Sequence, residues 1–134
     1  MAYYSMRYKT SPVVTELLSL RTVSAGTSYT LAKSITNFDY IQILFCNSSS
    51  GKLGEYLQFY TAGITTASTA DFIKGIHYTT STIYSSYTAG FTSNTAFKVS
   101  AVSNSNSSYP LYVQINGIKF IWYKKGELLV WLII

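Results

Sequence analysis

The sequence predicts an all-β domain: a single antiparallel β-sandwich, jelly-roll-like, with about eight to ten strands. Three observations carry this. Short runs of alternating apolar and polar residues recur, separated by clusters of Gly, Asn and Ser. The composition suits pleated surfaces, with 13 Tyr, abundant Thr, only 11% charged residues and few strong helix formers. The 134 residues are enough for one core, and no stretch near the middle reads as a linker. Residues 1–134 are therefore one domain, with 1–12 as an N-terminal arm or edge strand and 127–134 as a terminal strand.

Residues 3–9, YYSMRYK, read as an opening strand or an arm packed on a neighbour. In 13–23, Val13, Val14, Leu17, Leu18 and Arg21 have helical spacing, and Ser11-Pro12 is a plausible helix start. A strand over Leu17–Val23 is favoured, because Ala25-Gly26 then turns the chain into the next strand. There Tyr29, Leu31 and Lys33 alternate with Ser28, Thr30 and Ala32. Asp39–Cys46 is apolar on both faces, which marks a central strand or one with a second layer outside it. Asn47–Gly51 is a polar turn or loop. Beyond it, Leu53, Leu57 and Phe59 share a parity with Glu55, and Tyr56, Gln58 and Tyr60 form the opposite face.

Phe72, Lys74 and Ile76 predict a strand distorted at Gly75, and Thr82–Tyr87 another, ended by Gly90 and Asn94. Seven aromatics between 59 and 91 argue against disorder in this Thr- and Ser-rich region. Phe97, Val99 and Ala101 line a strand, and Ser103–Ser108 is an exposed loop. Leu111, Val113 and Ile115 then share a face, but after Gly117 the apolar parity moves to Ile118, Phe120 and Trp122. A β-bulge or tight bend at the glycine would produce that change. Lys124–Glu127 turns the chain into a last strand, Leu128–Ile134.

Net charge is +5, but the ten basic residues are spread singly apart from Lys124-Lys125. No basic cluster of the kind nucleic-acid modules show is present. Cys46 has no cysteine to pair with and lies in the apolar run IQILFC, so a buried thiol is expected. The first ten residues lack the apolar core of a signal peptide. LLVWLII is far short of the ~20 residues of a membrane helix.

Chemistry-bearing residues are sparse. His77 is the sole histidine, and the five acids, Glu16, Asp39, Glu55, Asp71 and Glu127, are scattered singly. The sequence shows no nucleophile–base pair, metal-ligand cluster or phosphate-cradling glycine motif. A non-enzyme without cofactor or metal is expected. Binding is the chemistry this composition suits, because Tyr offers a flat ring and a polar tip, and Ser and Asn adapt to polar partners. The candidate ligand-binding residues are His77, Tyr78, Tyr84, Tyr87, Phe91 and Asn94, with Asn104, Asn106 and Tyr109. The competing reading makes these tyrosines cross-strand packing pairs.

Residues 16–43, ELLSLRTVSAGTSYTLAKSITNFDYIQI, carry the pattern Thr30-Leu31, Ser34-Ile35, Asn37-Phe38-Asp39-Tyr40-Ile41 and Ile43. Ile115-Asn116-Gly117-Ile118-Lys119 forms a second pattern near the other end. Together they resemble the β-sandwich domains at the C-termini of phage and prophage tail-fibre or receptor-binding proteins. The terminal LLVWLII departs from that group, whose domains often end soon after the second pattern. The resemblance implies a virion protein, made in the bacterial cytoplasm, that binds a host-surface glycan or other envelope component. The alternative is a structural virion protein, such as a fibre connector, baseplate part or capsid decoration protein, that contacts other virion proteins. Such fibres are usually homotrimers, which places Tyr3, Tyr4, Tyr8, Trp131 and Ile133 as candidates for the subunit interface. Nucleic acid and membrane insertion are not expected.

Overall fold

The computed structural model describes residues 8–64 and 71–124. The expected all-β sandwich is present. Its strands are β1 (Tyr8–Thr22), β2 (Thr27–Thr30), β3 (Tyr40–Cys46), β4 (Glu55–Tyr60), β5 (Ile73–Tyr78), β6 (Tyr84–Ser93), β7 (Ala96–Asn104) and β8 (Tyr112–Lys124). One sheet has the order β1-β8-β3-β4 and the other β2-β7-β6-β5. A jelly roll is a folded hairpin, so its first strand pairs with its last and its second with its seventh. Both pairings are present and antiparallel. The inner strands instead pair with sequence neighbours, as the hairpin β3–β4 and the meander β5–β6–β7.

The helical alternative for 13–23 fails: β1 is extended from Tyr8 and pairs with β8 along its length. Helical spacing arose from irregular strand pairing. Register shifts flank Leu18, and consecutive Leu17 and Leu18 are both buried. The Ala25-Gly26 turn forms as expected, with Gly26 at φ +80° and Thr27 N donating to Ser24 O. β2 stops at Thr30, short of Lys33. Leu31 N is then captured by Thr95 O, and a short 3₁₀ turn, Ile35–Asn37, plugs one end of the core with the fully buried Ile35.

β3 is central, with one face in the core and the Leu44–Cys46 end of its outer face covered, while Tyr40 and Gln42 stay partly exposed. Ile41, Ile43 and Phe45 point between the sheets, while Leu44 and Cys46 lie under the 47–54 loop. A Cβ at Gly54 would stand 3.0 Å from the Phe45 carbonyl oxygen and 3.2 Å from Cys46 Cβ, so the loop lies this close only because the residue is glycine. Phe45 stacks on Tyr87 of the other sheet, with ring centroids 4.1 Å apart, and Phe91 meets Phe97 edge-on at 5.2 Å. Each such side chain contributes about 1.5–3 kcal/mol through burial.

Three expectations fail in the structure. In β5 the inward face is Ile73, Gly75 and His77, and Ile76 points to solvent at 51% exposure. Tyr87 decides this: its hydroxyl oxygen lies 2.7 Å from where a Gly75 Cβ would be, so Gly75 makes room for the ring. Gly90 does not end β6 either; it is buried in a strand that continues to Ser93. The third correction concerns Gly117. β8 runs through it in unbroken register with β3, and the pairing irregularity lies in β1 at Leu17–Leu20. The apolar parity changes because β8 outruns the core, so that Phe120 lies beside Tyr40 on the outer face. Gly117 itself seats the Phe38 ring, whose Cγ lies 2.5 Å from a notional Cβ. Asp39 N donates to Ile118 O, and Asp39 Oδ2 accepts from Phe120 N. The two sequence patterns therefore interlock. The Lys124–Glu127 turn extends outside the described residues, as the 128–134 strand does wholly.

Burial pushes the Cys46 thiol above its ordinary 9.0, and burial with the Glu55 charge pushes the Tyr87 phenol above its ordinary 10.0. Both groups hold their proton more tightly folded than unfolded. Their stabilising contribution is complete below the unfolded values and is lost as pH rises through the folded ones. Urea midpoints should therefore stay level up to about pH 8.5 and fall above it, with the fall starting nearer pH 10 in Cys46→Ala. A level profile to about pH 11 would contradict this.

Candidate functional site

Three loops meet at one end of the sandwich: 47–54 after β3, 79–83 after β5 and 105–111 after β7. They meet because Cys46 pairs with Tyr112, Tyr78 with Tyr84, and Ser85 with Asn104. A chain of polar side chains ties them together beneath the surface. Asn47 is buried, and its Nδ2 donates to Ser85 Oγ at 2.8 Å, Tyr109 O at 3.1 Å and Pro110 O at 3.4 Å. Two of those partners are carbonyls, so the amide orientation is fixed. Asn47 Oδ1 must then be the acceptor for Thr79 Oγ1 at 3.0 Å. The Thr79 proton is thereby used, and Thr79 Oγ1 accepts from His77 Nε2 at 3.1 Å. The other ring nitrogen, Nδ1, lies 3.1 Å from Glu55 Oε1, within ion-pair distance but out of line for a hydrogen bond. At the far end Ser85 Oγ donates to Asn104 Oδ1, which also accepts from Leu111 N.

Above this network lies a cleft of about 410 Å³. Ser48, Ser49, Lys52 and Leu53 form one wall, and Ser108, Tyr109 and Tyr112 the other. Asn47 and Thr79 belong to both the cleft lining and the network. Leu53 sits at φ 58° and is 73% exposed, an unusual backbone conformation for a leucine. Tyr109 is 46% exposed. Asn106 shapes its loop: the Asn106 Oδ1 accepts from Ser108 N and the Asn106 carbonyl from Tyr109 N. Tyr78 and Tyr84 pair just beyond, 5.0 Å apart, on the outer face of their sheet. Ser105 clamps the strand carrying Tyr84, because Ser105 Oγ accepts from Tyr84 N and donates to Thr82 O.

The candidate residues from sequence therefore divide. Tyr109 lines the cleft, Tyr78 and Tyr84 stand beside it, and Asn104 and Asn106 hold its loops. His77 is 1% exposed and belongs to the network. Tyr87 and Phe91 are core residues facing the opposite sheet, so they offer no surface to a ligand. Asn94 lies at the opposite end, where its carbonyl accepts from Ile35 N. Alternation explains these misplacements: odd-numbered residues of β6 point inward, so an aromatic run read as one surface is divided between two faces. Sequence reasoning missed Asn47, Lys52 and Leu53; the cluster of small polar residues at 47–51 was the available signal.

Of the interface candidates, Tyr8 opens β1 opposite Lys124, and Tyr3, Tyr4, Trp131 and Ile133 lie outside the described residues. Among the described residues no three His, Cys, Asp or Glu side chains gather as a metal site, and no helix is long and apolar enough to cross a membrane. Fold and site together define a two-sheet antiparallel sandwich with a polar-floored cleft at its loop end. Compared with family models and with curated proteins, the sequence finds no match.

Proposed function

We propose that this domain is a tail-fibre or receptor-binding type module of a phage virion that binds a host-surface glycan at its loop end without covalent chemistry. The observation that carries the reading is the cleft itself, walled by Tyr109 and serine hydroxyls and held in shape by the Asn47 network. Sugars offer C–H faces to rings and hydroxyls to polar side chains, and this cleft supplies both partners. The interlocking of Phe38 with Gly117 supports the resemblance, since it gives both quoted motifs a structural role in one fold. His77 faces the core and touches Glu55, which supports a structural role over that of a catalytic base. Exposed Val13 and Val14 on β1 favour contact with another chain, in keeping with a trimer.

Weak binding per site becomes effective when several copies act together. Purified protein should have three times the 14.9 kDa chain mass by light scattering, and should bind host cells and glycan-array spots. Tyr109→Ala should weaken glycan binding about tenfold, the ~1.4 kcal/mol that one well-placed ring contributes. An empty array together with no cell binding would end this reading.

A further inference from the structure

The tyrosines that alternation placed opposite the core on β4 are not used by the loop-end cleft. Tyr56, Gln58 and Tyr60 stand on the outer face of an edge strand, and Tyr56 and Tyr60 are 55% and 67% exposed. Their Cα atoms are four residues apart, about 13 Å along the strand. Across the sheet, Tyr60 pairs with Tyr40, Gln58 with Gln42, and Gln42 with Asn116. The row ends in a second cleft of about 580 Å³, at the opposite end of β3 from the loops.

That cleft is built from braced rings and converging polar groups. The Tyr60 ring rests against Tyr40 at 4.5 Å, and Tyr40 meets Phe120 edge-on at 5.4 Å. A braced ring loses little freedom when a ligand stacks on it. A hydrogen bond to Tyr60, with burial and the nearby Asp39 charge, pushes the Tyr40 phenol above its ordinary value. The wall also contains Asp39 and Thr61, whose hydroxyl oxygen is buried without a hydrogen-bond partner among the described residues. Asp39 Oδ1 lies 3.9 Å from Lys119 Nζ, so its charge is balanced nearby and no excess charge selects an ion.

Stacking rings, neutral donors and acceptors, and a row of planar amides suit a polyhydroxylated, uncharged chain. We propose that the outer face of β3 and β4, from Tyr56 to the Asp39–Tyr60 cleft, is a binding track for a neutral linear oligosaccharide. This site is separate from the loop-end cleft and does not depend on it.

Saturation-transfer NMR on the full chain tests this, with cellotetraose, maltotetraose and mannotetraose as neutral probes and tetragalacturonate as the charged one. At least one neutral probe should bind. Tyr60→Ala should lose tenfold or more in affinity and Gln58→Ala several-fold, while Tyr109→Ala leaves this binding unchanged. Both side chains removed are exposed, and circular dichroism checks that each variant keeps its fold. The proposal is overturned if no neutral probe binds, if tetragalacturonate binds tightest, or if Tyr60→Ala and Gln58→Ala bind as the parent does. It is also overturned if those variants change only the molecular mass, which would make this face a contact between copies of the chain. Loss of array binding in Tyr109→Ala with the Tyr60 response intact separates the two sites.

Discussion

Asn47→Ala should destabilise the domain by about 3–4 kcal/mol, far more than its single side-chain amide suggests. The truncation removes the donor to Ser85 Oγ and to the carbonyls of Tyr109 and Pro110, and the acceptor for the Thr79 hydroxyl. Partners left dry at a buried site each cost about 1–3 kcal/mol, partly recovered where water enters. Urea denaturation at neutral pH measures the loss as a shift in midpoint. Asn47→Asp is the sharper control, because a carboxylate cannot donate to either carbonyl and should destabilise at least as much. The same change should free the Tyr109 loop, visible as faster amide exchange at Ser108 and Tyr109. A loss under about 1 kcal/mol would mean that the network does not brace this end.

Phe45→Ala should cost about 4 kcal/mol. Phe45 is fully buried, and its ring lies 4.1 Å from Tyr87 at an interplanar angle of 16°, joining the centres of the two sheets. Neighbouring strands cannot close the space, because β3 is held between β8 and β4 by hydrogen bonds on both sides. Ile76→Ala, an apolar truncation on the exposed face of β5, should stay within about 0.5 kcal/mol. The comparison separates burial from hydrophobicity. Equal effects at the two positions would mean that the inward face of β5 is assigned the wrong way round.

Local signals were read well where one residue's neighbours decide its fate. β3 announced itself by apolar residues on both parities, and the Ala25-Gly26 turn by its glycine. Phe97 and Val99 are buried as their alternation implied. The readings that failed or stayed ambiguous needed a partner strand. Helical spacing at Val13–Arg21 came from bulges that only pairing with β8 creates. The β5 parity was misread because Gly75 faces inward without a side chain to mark it, and Tyr87 fills the vacancy. Of the candidate site, the Tyr109 loop was visible as a polar run, and the link from His77 through Thr79 to Asn47 was not.

Alternation, composition and turn residues determined by themselves that the chain is a β-sandwich, because strand periodicity and turn geometry act over a few residues. The tertiary structure alone decided which tyrosines face solvent and which fill the core. It also decided that Asn47, His77, Thr79, Ser85 and Asn104 form one hydrogen-bonded chain. Hydrogen bonds act over about 3 Å, and what brings such distant positions that close is the order of strands in two sheets, which no local pattern encodes.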